Sequence, residues 1–231
     1  PAQPAKATKL GKASGVPDWT SLQAMKRVQG PLGSQGGQWY EDSSGQRYLA
    51  KPAKSAGHAA NEAAVAAIYR EFNVGSQTAA IPDASGNPQV LVVGAQIQPA
   101  NMTPALQAEA KKNMGIDMLL SNWDAYGAGG QNVGIDPNCR LLRLDAGGGG
   151  RFRAQGGDKP SFAPGQPWQE PASMITTSFG QSMYGTVTNG EMASAMRQVA
   201  NIDIARMDAA MKAAGVDDAT RKLFRDTIAD R

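Results

Sequence analysis

The sequence predicts an α+β fold of two lobes, a small β-rich lobe followed by a helical lobe. Short strand patterns separated by turns fill residues 25–98, and helical patterns dominate residues 99–231. A chain of 231 residues is long enough to bury the core of one two-lobed domain. Residues 1–24 begin with a stretch rich in Pro, Ala, Lys and Gly and are predicted to form a flexible leader.

Alternating apolar residues and turn residues define the elements of the β-rich lobe. Met25–Lys51 has the pattern of an antiparallel meander whose strands are separated by glycine-containing turns. His58–Phe72 follows as an alanine-rich helix, and Ser55 is placed to cap it. Residues 81–97 have the pattern of a further hairpin. Five strands and one helix are therefore predicted for this lobe.

The helical lobe begins after Pro99. A helix is predicted at Pro104–Leu120, followed by a loop rich in Gly and Asn and by a short hairpin at Val133–Leu144. Trp123, just after the first helix, is expected to be a core anchor. Past a long loop, further helices are predicted at residues 189–200, at residues 202–214 and from Asp218 onwards.

The composition excludes several kinds of chemistry. Cys139 is the only cysteine, so an internal disulfide framework and a thiolate zinc site are ruled out. His58 is the only histidine, and any Ser-His-Asp triad or Cys-His pair would have to use it. We expect His58 to cap its helix or to lie exposed. Carboxylates, lysine and a metal ion are therefore the expected carriers of chemistry.

The charge and hydropathy patterns narrow the range of partners. The formal net charge is +3 and the basic residues are scattered, so we expect no nucleic-acid partner. No segment approaches the roughly eighteen consecutive apolar residues of a membrane helix, so we expect no membrane span. A single cysteine fits a reducing compartment. We therefore expect a cytoplasmic monomer.

A glycine-rich turn and a strand lysine form the first candidate site. Glycines let backbone N–H groups approach phosphate oxygens, although a plain hairpin turn accounts for them equally well. Lys51 ends a strand and Glu62 lies in the next helix, so a carboxylate can hold an exposed cleft lysine for phosphate binding. Lys54 competes with Lys51 for that role. The turn consists of Gly33, Ser34, Gln35, Gly36 and Gly37.

Three polar residues in the helical lobe form the second candidate site. Asp124 follows an apolar helix, Asn132 precedes a short strand, and Asp145 follows the apolar strand that pairs with it. This spacing brings two carboxylates and one amide to one edge of a hairpin. Asn132 and Asp145 supply the oxygen ligands that Mg²⁺ prefers, which leaves Asp124 free to orient or deprotonate a hydroxyl. Ordinary turn chemistry explains any one of the three residues alone.

The order of these residues resembles the protein-kinase superfamily over roughly residues 25–150. The resemblance implies a kinase-like two-lobed fold, ATP with Mg²⁺ or Mn²⁺ as cofactors, and a catalytic aspartate at Asp124. By the same resemblance Lys51 binds phosphates, Glu62 pairs with Lys51, and Asn132 and Asp145 hold the metal ion. The chain is most similar to the atypical bacterial branch of HipA-like toxins, lipid-kinase-like proteins and small effector kinases.

The chain also departs from the kinase pattern. Asn122-Trp123-Asp124 stands where that family has His-Arg-Asp, Ala146 replaces Phe, and no Ala-Pro-Glu follows. Regulation through an ordinary phosphorylated activation loop is therefore not expected. Arg151 and Arg153 follow a glycine run and either contact the substrate or lie in a solvated loop.

The function implied by this resemblance is phosphoryl transfer from ATP to a Ser or Thr hydroxyl of a protein. The expected acceptor is a host protein, and the chain is expected to act as an effector or toxin secreted into a host or target cell. Two alternatives remain at this stage. One is a catalytically inactive nucleotide-binding scaffold, and the other is transfer of AMP on the same fold.

Overall fold

The first part of the chain is a five-stranded antiparallel sheet with one long helix. The computed structural model describes residues 10, 13–30, 36–94, 98–99, 103–127, 130, 132–136, 138, 140–176 and 178–231. The sheet has the strand order β1-β2-β3-β5-β4. Its strands are β1 (Lys26–Val28), β2 (Gln38–Glu41), β3 (Arg47–Pro52), β4 (Gln77–Pro82) and β5 (Pro88–Val93). The five predicted strands and their antiparallel pairing are confirmed.

Helix α2 (Ala56–Glu71) lies at the centre of the molecule, packed on the sheet at β4 and against two helices near the C-terminus. Ser55 caps it, because its Oγ accepts a hydrogen bond from the His58 N–H at 3.1 Å. Most of the helix is buried, including Val65 and all its alanines after Ala56. Small side chains allow neighbouring elements to approach on several sides, so the position of α2 is fixed by packing all round.

The leader region contains one described helix. Residues 1–9 and 11–12 lie outside the described residues, so a flexible leader remains a prediction there. Helix α1 (Trp19–Gln23) begins after Asp18, whose Oδ1 accepts a hydrogen bond from the Ser21 N–H at 2.8 Å. Leu22 on this helix is fully buried against the sheet. The end of the leader is therefore packed on the β-rich part of the molecule.

A small second sheet opens the helical part of the chain. Its order is β6-β7-β8, and all its strands are antiparallel. The strands are β6 (Gln98–Pro99), β7 (Val133–Ile135) and β8 (Leu141–Arg143). The predicted hairpin at Val133–Leu144 is confirmed, and the strand β6 that joins it was not predicted as part of this sheet. Asn132 directly precedes β7 and Asp145 follows β8, so both lie at the open end of the hairpin.

Helices are the other regular elements of the described chain, and residues 144–169 connect β8 to α5 without a helix or strand. The predicted helix at Pro104–Leu120 is divided at Asn113, whose side-chain amide donates to the Glu109 carbonyl at 3.1 Å and competes with the helical backbone. Helices α5 and α6 were not predicted. A loop was expected where α5 begins, and no element was assigned to the residues of α6. The helices are α3 (Pro104–Lys112), α4 (Met114–Leu119), α5 (Glu170–Thr176), α6 (Ser178–Tyr184), α7 (Asn189–Ala200), α8 (Ile204–Ala213) and α9 (Asp218–Asp230). Within the described ranges no helix has both the length and the apolar character that a membrane crossing needs.

Candidate active site

Lys51 links the two parts of the molecule. It lies near the end of β3, and its Nζ is 2.6 Å from Glu62 Oε1 on α2. The same Nζ is 3.2 Å from Oδ1 of Asp145, which follows β8. Residues from both candidate sites, the most distant of them 94 positions apart in sequence, therefore meet at a single ammonium group.

The Lys51–Glu62 pair is buried, which corrects the expectation of an exposed lysine. The side chain of Lys51 is 12% exposed and that of Glu62 is 4% exposed. Burial raises the pKa of Glu62 to about 7 although the charge of Lys51 opposes it. Burial favours the neutral amine of Lys51, but the charges of Glu62 and Asp145 prevail and raise its pKa above the ordinary value. The lysine is therefore a fixed positive charge.

Asp145 is oriented by two donors and remains accessible. Its Oδ1 accepts hydrogen bonds from Lys51 Nζ at 3.2 Å and from the Gly147 N–H at 3.1 Å. Burial favours its protonated form, but Lys51 and the Gly147 N–H prevail and lower the pKa of Asp145. A Cβ at position 147 would lie 3.0 Å from Glu62 Oε2, so glycine allows this close approach. The side chain is 45% exposed and can take a further ligand.

Asp124 and Asn132 lie beside Asp145. Asn132 Nδ2 donates to the Asp124 carbonyl at 2.7 Å, and the Leu144 N–H donates to the Asn132 carbonyl at 2.8 Å. The pairing of β7 with β8 therefore brings Asn132 next to Asp145. Burial, with a further contribution from the charge of Asp145, raises the pKa of Asp124 despite the lowering effect of Asn132. All three predicted polar residues thus meet at the edge of the hairpin.

The donor set at this edge fits a magnesium ion. Carboxylate and amide oxygens are hard ligands, and Asp145 and Asn132 carry one of each. No group of three or more His, Cys, Asp or Glu side chains that could hold a metal ion occurs in the described ranges. Magnesium in phosphate-transfer sites commonly has only one or two protein carboxylates, with phosphates and water completing the shell. Asp145 and Asn132 are therefore the candidate metal ligands, and the other ligands must come from outside the chain.

The glycine-rich turn is described only in part. Gly33, Ser34 and Gln35 lie outside the described residues. Gly36 and Gly37 have φ values of 72° and 141°, which non-glycine residues rarely adopt. A Cβ at position 37 would lie 2.8 Å from the Ala50 carbonyl and 3.4 Å from Lys51 Cβ. This turn therefore comes back against the strand that carries Lys51.

Two aromatic residues near the site differ from the sequence-based expectations. His58 is buried rather than exposed, and its ring packs edge-on against Phe152 with centroids 5.4 Å apart. Burial lowers the pKa of His58. Trp123, expected in the core, is 37% exposed and directly precedes Asp124. The apolar pattern of the helix before Trp123 did not indicate that this side chain would be partly exposed.

The remaining basic candidates lie outside the Lys51 ion pair. Lys54 is exposed beyond the end of β3, near Gly156. Arg151 is 54% exposed, with Nε 3.4 Å from Asp158 Oδ1, and Arg153 is also exposed. The geometry therefore favours Lys51 over Lys54 as the site lysine, and it agrees with the solvated basic loop for the two arginines.

Several residues that support the site were missed by the sequence analysis. Asn61, next to Glu62, donates from Nδ2 to the Gly149 carbonyl at 2.8 Å and accepts from the Arg151 N–H at 2.9 Å. Helix α2 thus holds both Lys51 and the loop after Asp145. Asn122 donates to Tyr69 Oη at 2.9 Å and so fixes the segment before Asp124 to α2. An Asn inside an alanine-rich helix was the only local signal for the first contact.

A buried ion pair lies beneath these loops. Arg143, on β8, has Nη2 2.7 Å from Asp117 Oδ2 on α4, and neither side chain is exposed to solvent. Tyr126 accepts a hydrogen bond from Arg143 Nη2 at 2.5 Å, and Tyr184 donates to Asp117 Oδ2 at 2.7 Å. The network joins β8, which leads to Asp145, to the helix that leads to Asp124. It stabilises the two ends of the site relative to each other.

Comparison with known proteins identifies the fold. The structure is similar to the crystal structure of a Helicobacter pylori proinflammatory kinase, CtkA, with a TM-score of 0.54 over 90% of this chain and 91% of that chain, at 10% sequence identity. No protein-family model and no curated protein sequence matches the chain. A likeness at this identity concerns the fold alone. The chain therefore has a kinase-like fold, with an antiparallel sheet in its N-terminal region and a helical C-terminal part.

Proposed function

We propose that this protein is an ATP- and Mg²⁺-dependent phosphotransferase. The observation that carries the proposal is the position of Lys51, whose ammonium group contacts both Glu62 and Asp145. A fixed cation beside an accessible carboxylate suits a triphosphate and its metal ion. The likeness of the fold to a kinase supports the same reaction class.

Each candidate residue has a distinct task in this proposal. Lys51, held by Glu62, positions the phosphates, and the backbone of Gly36 and Gly37 covers them together with Gly33, Ser34 and Gln35. Asp145 and Asn132 hold Mg²⁺ (or Mn²⁺), which when bound neutralises charge on the phosphate oxygens. Burial of the Lys51–Glu62 pair limits the movement of the lysine, so the phosphate-binding charge is already in place before ATP arrives.

Asp124 is the proposed general base. The acceptor hydroxyl oxygen forms a bond to the γ-phosphorus while the bond between that phosphorus and the β,γ-bridging oxygen breaks. ADP leaves with the bridging oxygen, and the hydroxyl proton passes to Asp124. The raised pKa of Asp124 makes it a better proton acceptor than an exposed aspartate, while Asn132 fixes its backbone.

The proposed acceptor is a Ser or Thr hydroxyl of a protein, with a host protein as the target of a secreted effector or toxin. This finer assignment is based on the resemblance of the motifs to small bacterial effector kinases. The name of the structural neighbour, a proinflammatory kinase of Helicobacter pylori, is compatible with it.

Labelling separates the proposed reaction from its two alternatives. The protein is incubated with Mg²⁺ and ATP in a cell lysate, once with the label on the γ-phosphate and once with the label on the α-phosphate, and the labelled proteins of each sample are identified. Intact-mass measurement of each target then distinguishes a gain of one phosphate from a gain of one AMP. A phosphate gain on Ser or Thr supports the proposal, an AMP gain replaces it with AMP transfer, and no gain favours a nucleotide-binding scaffold.

Asp124→Asn tests the catalytic role separately from binding. The variant keeps the size of the side chain but cannot accept the proton, so we expect turnover to fall by about two to four orders of magnitude. ATP affinity, measured by titration calorimetry, should stay within a few fold of the unaltered protein because Asp124 is not a proposed metal ligand. A parallel loss of ATP binding would make Asp124 a metal ligand instead, and full turnover would remove it from the mechanism.

A further inference from the structure

Lys159 is a buried lysine that bridges the two loops of the candidate site. Its Nζ donates to the Ser121 carbonyl at 2.7 Å and to the Gly148 carbonyl at 2.6 Å. The residue is 7% exposed. Ser121 lies three positions before Asp124, and Gly148 lies three positions after Asp145. One side chain thus contacts both the loop of the proposed base and the loop of the proposed metal ligand.

The conformation of Ser121 explains why its segment needs support. Ser121 has a φ of 50°, a left-handed conformation that costs energy for a residue with a Cβ. This turn directs the chain from α4 towards Asp124. Arg231 also contacts the turn, donating to Ser121 Oγ at 2.9 Å and to the Leu119 carbonyl at 2.6 Å. Two basic side chains therefore donate to the strained residue, Lys159 at its carbonyl and Arg231 at its hydroxyl.

Lys159 is itself held in place by its neighbours. Its backbone N–H donates to the Arg151 carbonyl at 2.6 Å, next to the short bridge between Phe152 and Asp158. Glu170 is the nearby buried carboxylate, and it also lies 3.7 Å from Arg231 Nη2. These contacts fix the position of the Lys159 ammonium group relative to both loops.

We propose that Lys159 is a positioning residue that sets the separation between Asp124 and Asp145 for phosphoryl transfer; the inference rests on the proposed function. A buried lysine is costly, and an apolar side chain of similar length would fill the same space without that cost. Two short hydrogen bonds to loop carbonyls offset this cost, and they connect the two loops, which an apolar residue cannot do. Burial lowers the pKa of Lys159 to about 7 against the attraction of Glu170, in line with the cost of desolvation.

Lys159→Met and Lys159→Arg test the inference, with Lys212→Met as a control because Lys212 is exposed on α8. We expect Lys159→Met to lower turnover about ten- to a hundredfold, because misplaced catalytic groups cost that much, while ATP affinity changes by no more than a few fold. Hydrogen exchange followed by mass spectrometry should speed up in residues 119–126 and 145–151 and stay unchanged in the five-stranded sheet. Lys159→Arg, which keeps a cationic donor, should recover turnover and protection in part.

Unchanged turnover and unchanged exchange in Lys159→Met would overturn the inference, as would faster exchange spread evenly over the chain. If the methionine variant does not fold, Lys159→Gln replaces it under the same criteria. The exchange measurement needs no activity, so the two proposals fail separately. If the unaltered protein transfers no phosphate, the proposed function fails. Faster exchange confined to the two loops in Lys159→Met would still support the bridging role of Lys159. Unchanged exchange in those loops would overturn it.

Discussion

Lys51 makes the site depend on a buried charge. The structure places its ammonium group between Glu62 and Asp145, and Glu62 is almost fully buried. Loss of one partner of a buried ion pair leaves the other charge without compensation, which costs more than the pair contributes. The consequence is that stability and the proposed phosphate binding are coupled at this residue, whereas an exposed lysine would not couple them.

Lys51→Met should therefore abolish phosphoryl transfer and also lower the free energy of unfolding, by about 2–4 kcal/mol, because Glu62 is left buried alone. The double variant Lys51→Met/Glu62→Gln should regain much of that stability without regaining activity. Urea unfolding and a labelled-ATP assay measure the two effects. Lys54→Met is the control, and because Lys54 is exposed it should change stability by less than about 0.5 kcal/mol. An inactive Lys54 variant beside an active Lys51 variant would reassign the lysine.

Glu62 gives the folded state a specific pH dependence. Burial raises its pKa from 4.5 to about 7, so between these values the folded chain holds a proton that the unfolded chain has lost. The contribution of Glu62 to the free energy of unfolding therefore falls as pH rises through this window, by about 1–3 kcal/mol in all. His58 acts in the opposite direction, because its lowered pKa makes stability fall as pH decreases below 6.5.

The difference between the unaltered protein and Glu62→Gln isolates the effect of Glu62. Urea unfolding at several pH values across the window should show a stability difference that shifts in favour of the variant as pH rises. His58 is present in both proteins and cancels. A difference that stays constant across the window would show that Glu62 has an ordinary pKa in the folded state.

The residue-level predictions from sequence held where spacing along one element was informative. Asp124, Asn132 and Asp145 lie together as expected, because a short hairpin with directly paired strands brings Asn132 to Asp145 and Asn132 donates to the Asp124 carbonyl. Their roles stay predictions. The predicted exposures of His58 and Trp123 were wrong for one reason. Their exposure is decided by residues distant in sequence, such as Phe152 against His58, and helical periodicity carries no information on those residues.

At the scale of elements, α4 and α7 show how small residues control packing. Helices α4 and α7 pack closely at Gly115, where a Cβ would collide with the Ala195 carbonyl. Gly190, in the first turn of α7, has only Thr188 Oγ1, at 3.9 Å, near its added Cβ. Both glycines lie in helices, where glycine is intrinsically unfavourable. Their packing therefore decides what an alanine does at each position.

Gly115→Ala should lower the free energy of unfolding by about 1–3 kcal/mol, because the helices must move apart to admit the methyl group. Gly190→Ala is the matched control, and it should leave stability unchanged or raise it by up to about 1 kcal/mol through helix propensity. Thermal and urea unfolding of both variants measure the difference. Equal effects of the two substitutions would mean that α4 and α7 are not in close contact.

Element boundaries were predictable where caps and alternation coincide. The Ser55 cap and the alanine-rich pattern located α2 to within two residues of its first residue, and the turn residues located the hairpins of the sheet. The break at Asn113 depends on a single side chain that bonds to its own helix. Helix α5 contains Pro171 and begins with the buried Glu170, whose partner Arg231 is far away in sequence. Local patterns could not reveal either feature.

At the scale of the whole molecule, the candidate site is built from both sheets. Lys51 comes from the five-stranded sheet, Asp145 follows the three-stranded sheet, and α2 contacts Lys51 through Glu62 and the loop after Asp145 through Asn61. The order of motifs along the sequence predicted this arrangement only because that order resembles the kinase superfamily. Long-range supports such as Arg231 on Ser121, 110 positions apart, follow from the packed fold and have no counterpart in a local pattern.

Because the site joins the two sheets, ATP with Mg²⁺ should stabilise the chain as one unit. A ligand that binds only the folded state raises the free energy of unfolding, by about 2.7 kcal/mol at a hundred times its dissociation constant. We expect this gain with ATP and Mg²⁺ together, and a much smaller one with ATP and a chelator, because the proposed function has Asp145 and Asn132 contact the nucleotide through the metal ion. Asp145→Ala should remove the difference between the two conditions. Asp226→Ala, which removes an aspartate of similar exposure (41%) on α9, should keep it. Thermal unfolding and titration calorimetry measure both quantities, and equal ATP affinity with Mg²⁺ and with chelator in the unaltered protein would exclude the proposed metal site.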